Sequence, residues 1–439
     1  MDVYNPNEYD TIDNLNTASV FTKPTFVQKQ RGKLLPALIL GFIYFYSLKP
    51  PGLYFSDVRW YIALGLAFFV YLIQRRQLDF KAARIYWIIS GLILLGATLS
   101  LLNTNTQYLD ASLFNLVALW VNVITFLLFI TTLATRICRT VLLFSHLAAS
   151  FFWTIEIQRR LADLGYFSST TFSGVDENKN AISLLLALGI TALLAFTVLW
   201  RPATRLRRGF VNMIRMLLVG AAMFMLYSQS LTYSRSELAT SFVGILAVIG
   251  VAASQTRGMK KIRVIIISLI ILGLFVYIAL PYVTAAAPGW SRAIDPVKNL
   301  GDPTSFVTRK MLYYKGLSII RENPLLGIGP GNTRGIYINL QGVFFERWLL
   351  HNTYLTYWAE YGLLGLLSIV AFILAYIKIL NRNFHSLPMV DRIWLIMFIP
   401  WFFALNFINV GTLMMLAILT GIYYEQYQIQ QSKTSPTEI

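Results

Sequence analysis

The feature that most constrains this chain is a succession of apolar runs, each of roughly 16–22 residues, that recurs from near Lys33 to near Tyr424. A run of that length can cross a hydrocarbon core about 30 Å thick, and within lipid only helices or closed barrels satisfy their own backbone polar groups. The runs are unbroken, so they predict helices. Composition agrees: 56% of residues are hydrophobic and 13% charged, with a mean hydropathy of +0.59. That balance excludes an ordinary soluble enzyme. The net charge of +17 could suggest nucleic acid, but Lys and Arg fall mainly in short loops, where they favour anionic lipid. Cys138 is the sole cysteine, so neither an intrachain disulfide nor a zinc cluster is expected. The first 30 residues are polar, and a removed signal peptide is not expected.

About twelve spans are expected, near Lys33–Leu48, Val58–Ile73, Ile85–Leu102, Leu113–Ala134, Thr140–Ile155, Ala181–Leu199, Val211–Tyr227, Ala239–Ala253, Val264–Leu280, Leu363–Ile379, Ile393–Phe407 and Thr412–Tyr424. With the N-terminus inside, 23 of the 37 basic residues fall on the cytoplasmic side. Of the 14 on the other side, eight lie in one long segment, Arg292 to Arg347, of a kind that weighs little in orientation. Both termini are therefore expected to be cytoplasmic. The expected organisation is a cytoplasmic tail (1–32), nine spans (33–280), a large periplasmic loop (281–361), three further spans (362–425) and a cytoplasmic tail (426–439). The loop, at about 80 residues, is too long for a plain connector. Asp302-Pro303 offers a helix start, Ser305–Glu322 has helical apolar spacing, and Asn323-Pro324 ends it. A turn-rich stretch, Gly327–Asn332, follows. Phe344–Glu360 is expected to be helical and to run into the next span.

Outward-facing ionisable residues are the candidates for chemistry. Arg235 stands at the start of a span, where a guanidinium either clamps an anion or pairs with Glu237. Arg309 and Lys310 lie in the first turns of the loop helix, where cations oppose the helix dipole. Arg159, Arg160 and Lys179 add outward positive charge near Asp176 and Glu177, in keeping with either a binding role or an ordinary surface. Of three histidines only His351 faces outward, with Asn352 beside it to orient a hydroxyl or the ring. His146 sits in an apolar span and His385 in a cytoplasmic loop. Gly327–Asn332 lacks the Lys-Ser/Thr of a phosphate-binding loop, and no metal-ligand motif stands in the outward loops, so neither a metal nor a cofactor is expected.

Three strings carry a resemblance: Arg321-Glu-Asn-Pro-Leu-Leu-Gly-Ile-Gly-Pro-Gly-Asn332, His351-Asn-Thr-Tyr-Leu355 and Glu360-Tyr-Gly-Leu-Leu-Gly365. With the upstream Leu231-Thr-Tyr-Ser-Arg-Ser they resemble the signature of the bacterial O-antigen ligase and O-antigen polymerase family. Ser236 and Thr308 stand where that family commonly has small residues or glycine. The resemblance implies an all-α polytopic, GT-C-like glycosyltransferase of the inner membrane with a periplasmic site. Its donor would be a polyprenyl-pyrophosphate-linked glycan and its acceptor lipid A-core. It further implies Arg235 and Arg309 as pyrophosphate clamps and His351 as the residue that orients or deprotonates the acceptor hydroxyl. Arg159, Arg160, Lys179, Asn352 and Tyr313 would bind substrate. A polymerase that lengthens a lipid-linked repeat is the close alternative. A glycan-lipid transporter is the alternative from another class, although its spans should carry more buried charge.

Overall fold

The computed structural model describes residues 26–48, 65, 78–165, 179–201, 208–232, 234–256, 258–286, 305–335, 338–340, 343–345, 350–407 and 412–434. Among them lie twelve α-helices: α1 (Phe26–Ser47), α2 (Arg84–Ser100), α3 (Leu109–Leu133), α4 (Arg136–Leu164), α5 (Lys179–Leu199), α6 (Arg208–Ser230), α7 (Arg235–Ser254), α8 (Met259–Ala286), α9 (Ser305–Glu322), α10 (Thr353–Asn383), α11 (Met389–Ala404) and α12 (Leu413–Thr434). Every expected span falls on one of these helices except that near Val58–Ile73, which lies outside the described residues apart from Gly65. The twelve expected spans and the twelve helices are not the same set, because α9 belongs to the long connection.

Eight helices, α2 to α8 and α10, are long and apolar enough to cross a membrane, and the chain is a multi-pass membrane protein. The difference from twelve has local causes. The α11 helix has only 16 residues, the described apolar stretch of α1 is Leu34–Phe45, and α12 runs into a polar Glu- and Gln-bearing end.

Apolar side chains are exposed on the perimeter as well as buried in the core, as a lipid solvent allows. On the peripheral helix α8, Ile266, Ile270, Leu274 and Ile278 are all exposed. The core lies where α11 packs on α4 and α5 and α12 packs on α3, with Leu188, Ala192, Trp394, Phe398, Leu416 and Leu419 buried. Helices approach closely where a side chain is missing: a Cβ at Gly244 of α7 would lie 2.0 Å from Thr191 Oγ1 on α5. His146 is spent on packing polar groups within the bundle. Its Nδ1 accepts from the Tyr44 hydroxyl at 2.8 Å and its Nε2 donates to the Leu185 carbonyl at 3.1 Å.

The end of the bundle that holds the N-termini of α4 and α11 and the C-terminus of α12 is closed by one buried guanidinium. Arg139 donates to both Asp391 oxygens, at 2.6 and 2.9 Å, to the Leu133 carbonyl at 2.6 Å and to Glu425. A buried ion pair contributes little net stability over an apolar pair, but removing one partner strands a charge. Asp391→Ala is therefore expected to destabilise the protein by about 3–5 kcal/mol, read as a lowered unfolding midpoint in detergent. Replacing Arg139 and Asp391 together with leucine should cost less than the single change.

The long connection contains a small amount of strand. Ile338–Leu340 (β1) pairs antiparallel with Val343–Phe345 (β2), Asn339 opposite Phe344. The expectation of a helix over Phe344–Glu360 is thus corrected: its start is strand, and α10 begins only at Thr353, capped by Asn352.

Candidate active site at one end of the bundle

The site is built at the end opposite Arg139, and its geometry begins with a break in α10. Gly362 has φ +64° and ψ −154° inside the helix, a conformation open to glycine and strained for other residues. The break removes the helical partners of nearby backbone groups, and the segment Leu325–Gly329 supplies replacements. Ile328 N donates to Ala359 O at 2.9 Å, Gly329 N to Glu360 O at 3.1 Å, and Leu363 N to Leu325 O at 3.0 Å. The turn-rich stretch is pinned on its other side by Asn103 Nδ2 on Gly327 O at 2.8 Å and by the Ser112 hydroxyl on Asn332 Oδ1 at 2.9 Å. Thr333 bonds the buried Glu360 carboxylate. The glycine-rich string and the Glu-Tyr-Gly string are therefore two halves of one joint.

That joint fixes α9 and the start of α10. Leu312, Ile319 and Ile320 of α9 are buried against Leu350 and Ala359. Their packing turns Arg309 and Tyr313, one helical turn apart, toward α7 and the N-terminus of α10. Tyr313 donates its hydroxyl to Asn406 O at 2.5 Å and is hydrogen-bonded by the Asn352 side chain. Burial raises the Tyr313 phenol, opposed by Asn352 and Arg309, so it stays a neutral donor. Asn352 Oδ1 accepts from Leu355 N at 3.0 Å, which caps α10. His351, one residue earlier, is half-buried with φ +50°, a left-handed conformation that costs a non-glycine residue about 1–3 kcal/mol.

Arg235, Lys179 and Arg309 share this end. Arg235 is the exposed first residue of α7, and Lys179 opens α5. The Lys179 ammonium feels repulsion from Arg309 and Arg235 and attraction from Glu237. Arg309 is half-buried, donates from Nη2 to the Ser236 hydroxyl at 3.3 Å and lies over the Phe407 ring at 5.9 Å. Burial first, and the Arg309 charge second, push the His351 imidazole down to about 4. It is neutral at physiological pH.

The other candidates separate. Arg159 bonds Glu156 and Asp163, and Arg160 bonds Glu156, all on α4. Those pairs engage both guanidiniums on their own helix. Asp176, Glu177 and the helix start at Asp302-Pro303 lie outside the described residues. Lys310 is exposed, over the Tyr314 ring. Ser234, Ser236 and Asn180 are parts of the site that sequence reasoning missed. Glu237 was weighed only as a partner of Arg235, whereas its bonds go to the Ser234 and Ser236 hydroxyls. The available signal was Ser234-Arg-Ser-Glu237, the spacing of a helix-start capping box.

The class defined so far is a helical membrane protein with a cationic, half-buried polar site at one end of its bundle. The match to known families narrows this. Residues 220–370, from α6 to the middle of α10, match the family described as O-antigen ligase. No curated protein matches the chain. The matched stretch holds Arg235, Arg309, His351 and both halves of the joint. Gly362→Ala tests that joint: an added Cβ would lie 2.0 Å from Leu325 O. The variant is expected to fold with a lower unfolding midpoint and to lose function through displacement of α9. Limited proteolysis between α8 and α10 should become faster.

Proposed function

We propose that the chain is a membrane glycosyltransferase that moves a glycan from a polyprenyl-pyrophosphate carrier to lipid A-core on the outer leaflet of the inner membrane, an O-antigen ligase. The observation that carries the reading is the gathering of Lys179, Arg235 and Arg309 in one electrostatic field with a neutral His351. When the bond between the anomeric carbon and the pyrophosphate oxygen breaks, the electron pair leaves with the pyrophosphate. Fixed cations stabilise that developing charge more than they stabilise the donor, the condition for lowering a barrier. Arg235 and Arg309 take this role, with Lys179 supporting them.

The acceptor hydroxyl oxygen forms the new bond to the anomeric carbon as the old one breaks. Its proton passes to His351 or, later, to the released pyrophosphate. A histidine at about 4 is a weak base for a sugar hydroxyl. Its role is to accept a hydrogen bond from that hydroxyl and aim it, with Asn352 and Tyr313 holding the backbone that carries the ring. An apolar cavity of about 90 Å³ between α6, α7 and α8, lined by Leu226, Tyr227, Leu238, Phe242 and Phe275, comes within one helical turn of Arg235 and suits part of the prenyl tail. The basic ends of the helices at the opposite face, among them Arg136, Arg215, Lys260, Lys261 and Arg382, support a periplasmic orientation for the site.

Arg235→Ala, Arg309→Ala and His351→Ala should each lower transfer by roughly 100-fold or more while leaving insertion and folding intact. Normal transfer in the arginine variants would remove the clamp. The neutral imidazole is the active form and its pKa is lowered, so kcat/KM should stay flat as pH falls through 6.5 and decline only toward about 4. Chelators should leave transfer unchanged; dependence on a divalent metal would direct attention to Asp176 and Glu177. Purified protein supplied with donor and defined acceptors separates the ligase from the polymerase. Joining to lipid A-core without lengthening of the carrier-linked chain is the expected result, and lengthening alone makes the protein a polymerase.

A further inference from the structure

Glu237 is an acidic side chain where chemistry calls for cations. It is fully buried at the first turn of α7, between Arg309, which interacts with it electrostatically, and Lys179. A carboxylate there weakens any anion site, and one of its oxygens, Oε1, has no hydrogen-bond partner among the described residues. Burying such a group is costly unless it does something for its neighbours. Helix capping is the ordinary explanation for Ser-x-x-Glu. The geometry does not support it, because the Ser234 side chain makes no capping bond to the helix. Instead its hydroxyl lies against the Glu237 carboxylate and Asn180 Oδ1.

What Glu237 does is hold Ser236, and Ser236 holds Arg309. The Ser236 hydroxyl donates to Glu237 Oε2 at 2.6 Å, which leaves its oxygen lone pair facing the Arg309 Nη2 donor at 3.3 Å. Without the carboxylate that hydroxyl could rotate and present its hydrogen to the guanidinium. We infer that Glu237 is a positioning residue of the anion site, orienting Arg309 of the long connection through Ser236 so that it faces the same ligand as Arg235 of α7. The relay ties the two arginines, which stand 74 positions apart in the sequence, to one helix end. This inference rests on the pyrophosphate reading above, and it adds a residue that neither touches the ligand nor carries its charge.

The test is calorimetric titration of the full-length protein in detergent with inorganic pyrophosphate. Ser236→Ala keeps the negative charge but breaks the relay, and should weaken binding about tenfold, as expected for a charge-assisted hydrogen bond. Glu237→Gln removes the charge but keeps an acceptor for Ser236, and should bind as tightly as the wild type or more tightly. Glu237→Ala removes both and should bind about tenfold more weakly than Glu237→Gln. In an Arg309→Ala background, Ser236→Ala should have no further effect, which a merely structural serine would not predict. Wild-type affinity in Ser236→Ala, or equal affinities for Glu237→Ala and Glu237→Gln, would overturn the relay alone. A wild-type protein that binds no pyrophosphate, or binds it equally after Arg309→Ala, overturns the pyrophosphate reading itself and the relay with it.

Discussion

The outer architecture of this protein depends on one exchange of backbone hydrogen bonds. At Gly362 the helix α10 gives up its regular path, and the carbonyls of Ala359 and Glu360 are taken by the amides of Ile328 and Gly329 while Leu363 donates to Leu325. In a water-poor environment an orphaned carbonyl or amide is expensive, so the segment that satisfies three such groups is held as firmly as a helix would be. Everything polar at this end follows. The joint fixes the end of α9, hence the rotation that turns Arg309 and Tyr313 inward. It also fixes the first turns of α10, hence the cap at Asn352 and the left-handed His351 before it.

The two ends of the bundle use the same residue type in opposite ways. At one end Arg139 is buried and saturated, with two carboxylates and two carbonyls consuming its donors. That arrangement spends the guanidinium on fastening α4 to α11 and α12. At the other end Arg235 is exposed and Arg309 makes its bond to a neutral serine. Lys179 stands in the repulsive field of both. Three cations there face one buried carboxylate, Glu237, and an excess of like charge works against folding unless a ligand of opposite charge offsets it.

Much of this was legible in the sequence, for physical reasons that differ by element. Apolar runs long enough to span lipid leave few alternatives to a helix, so α2 to α8 fall where expected. Arg235 stands out because an ionisable group at the start of a span is costly, Arg309 because a cation opposes the dipole of its helix, and His351 because it alone of the three histidines is expected to face outward. The break at Gly362 was not legible, because a glycine in a helical pattern does not announce its φ. Its partners lie some 35 residues upstream, in a stretch read only as turn-rich. The strand at Val343–Phe345 escaped because a short apolar aromatic run fits either periodicity. The pairing of Arg159 and Arg160 with Glu156 and Asp163 follows from their i,i+3 and i,i+4 spacing on α4.

In the proposed reaction, His351 decides where the catalytic burden falls. A histidine near its ordinary value would share proton removal with the leaving group's departure. Pushed down to about 4 by burial and by Arg309, it has little affinity for a proton, and on the proposed reading it would give the reaction direction rather than driving force. The same guanidinium that weakens the histidine as a base strengthens the site as an acceptor of leaving-group charge. A single half-buried arginine would thus shift the proposed chemistry from deprotonating the nucleophile toward stabilising the leaving group. For a donor whose anomeric bond is already activated by pyrophosphate, that is the end of the reaction coordinate where electrostatic preorganisation acts most strongly.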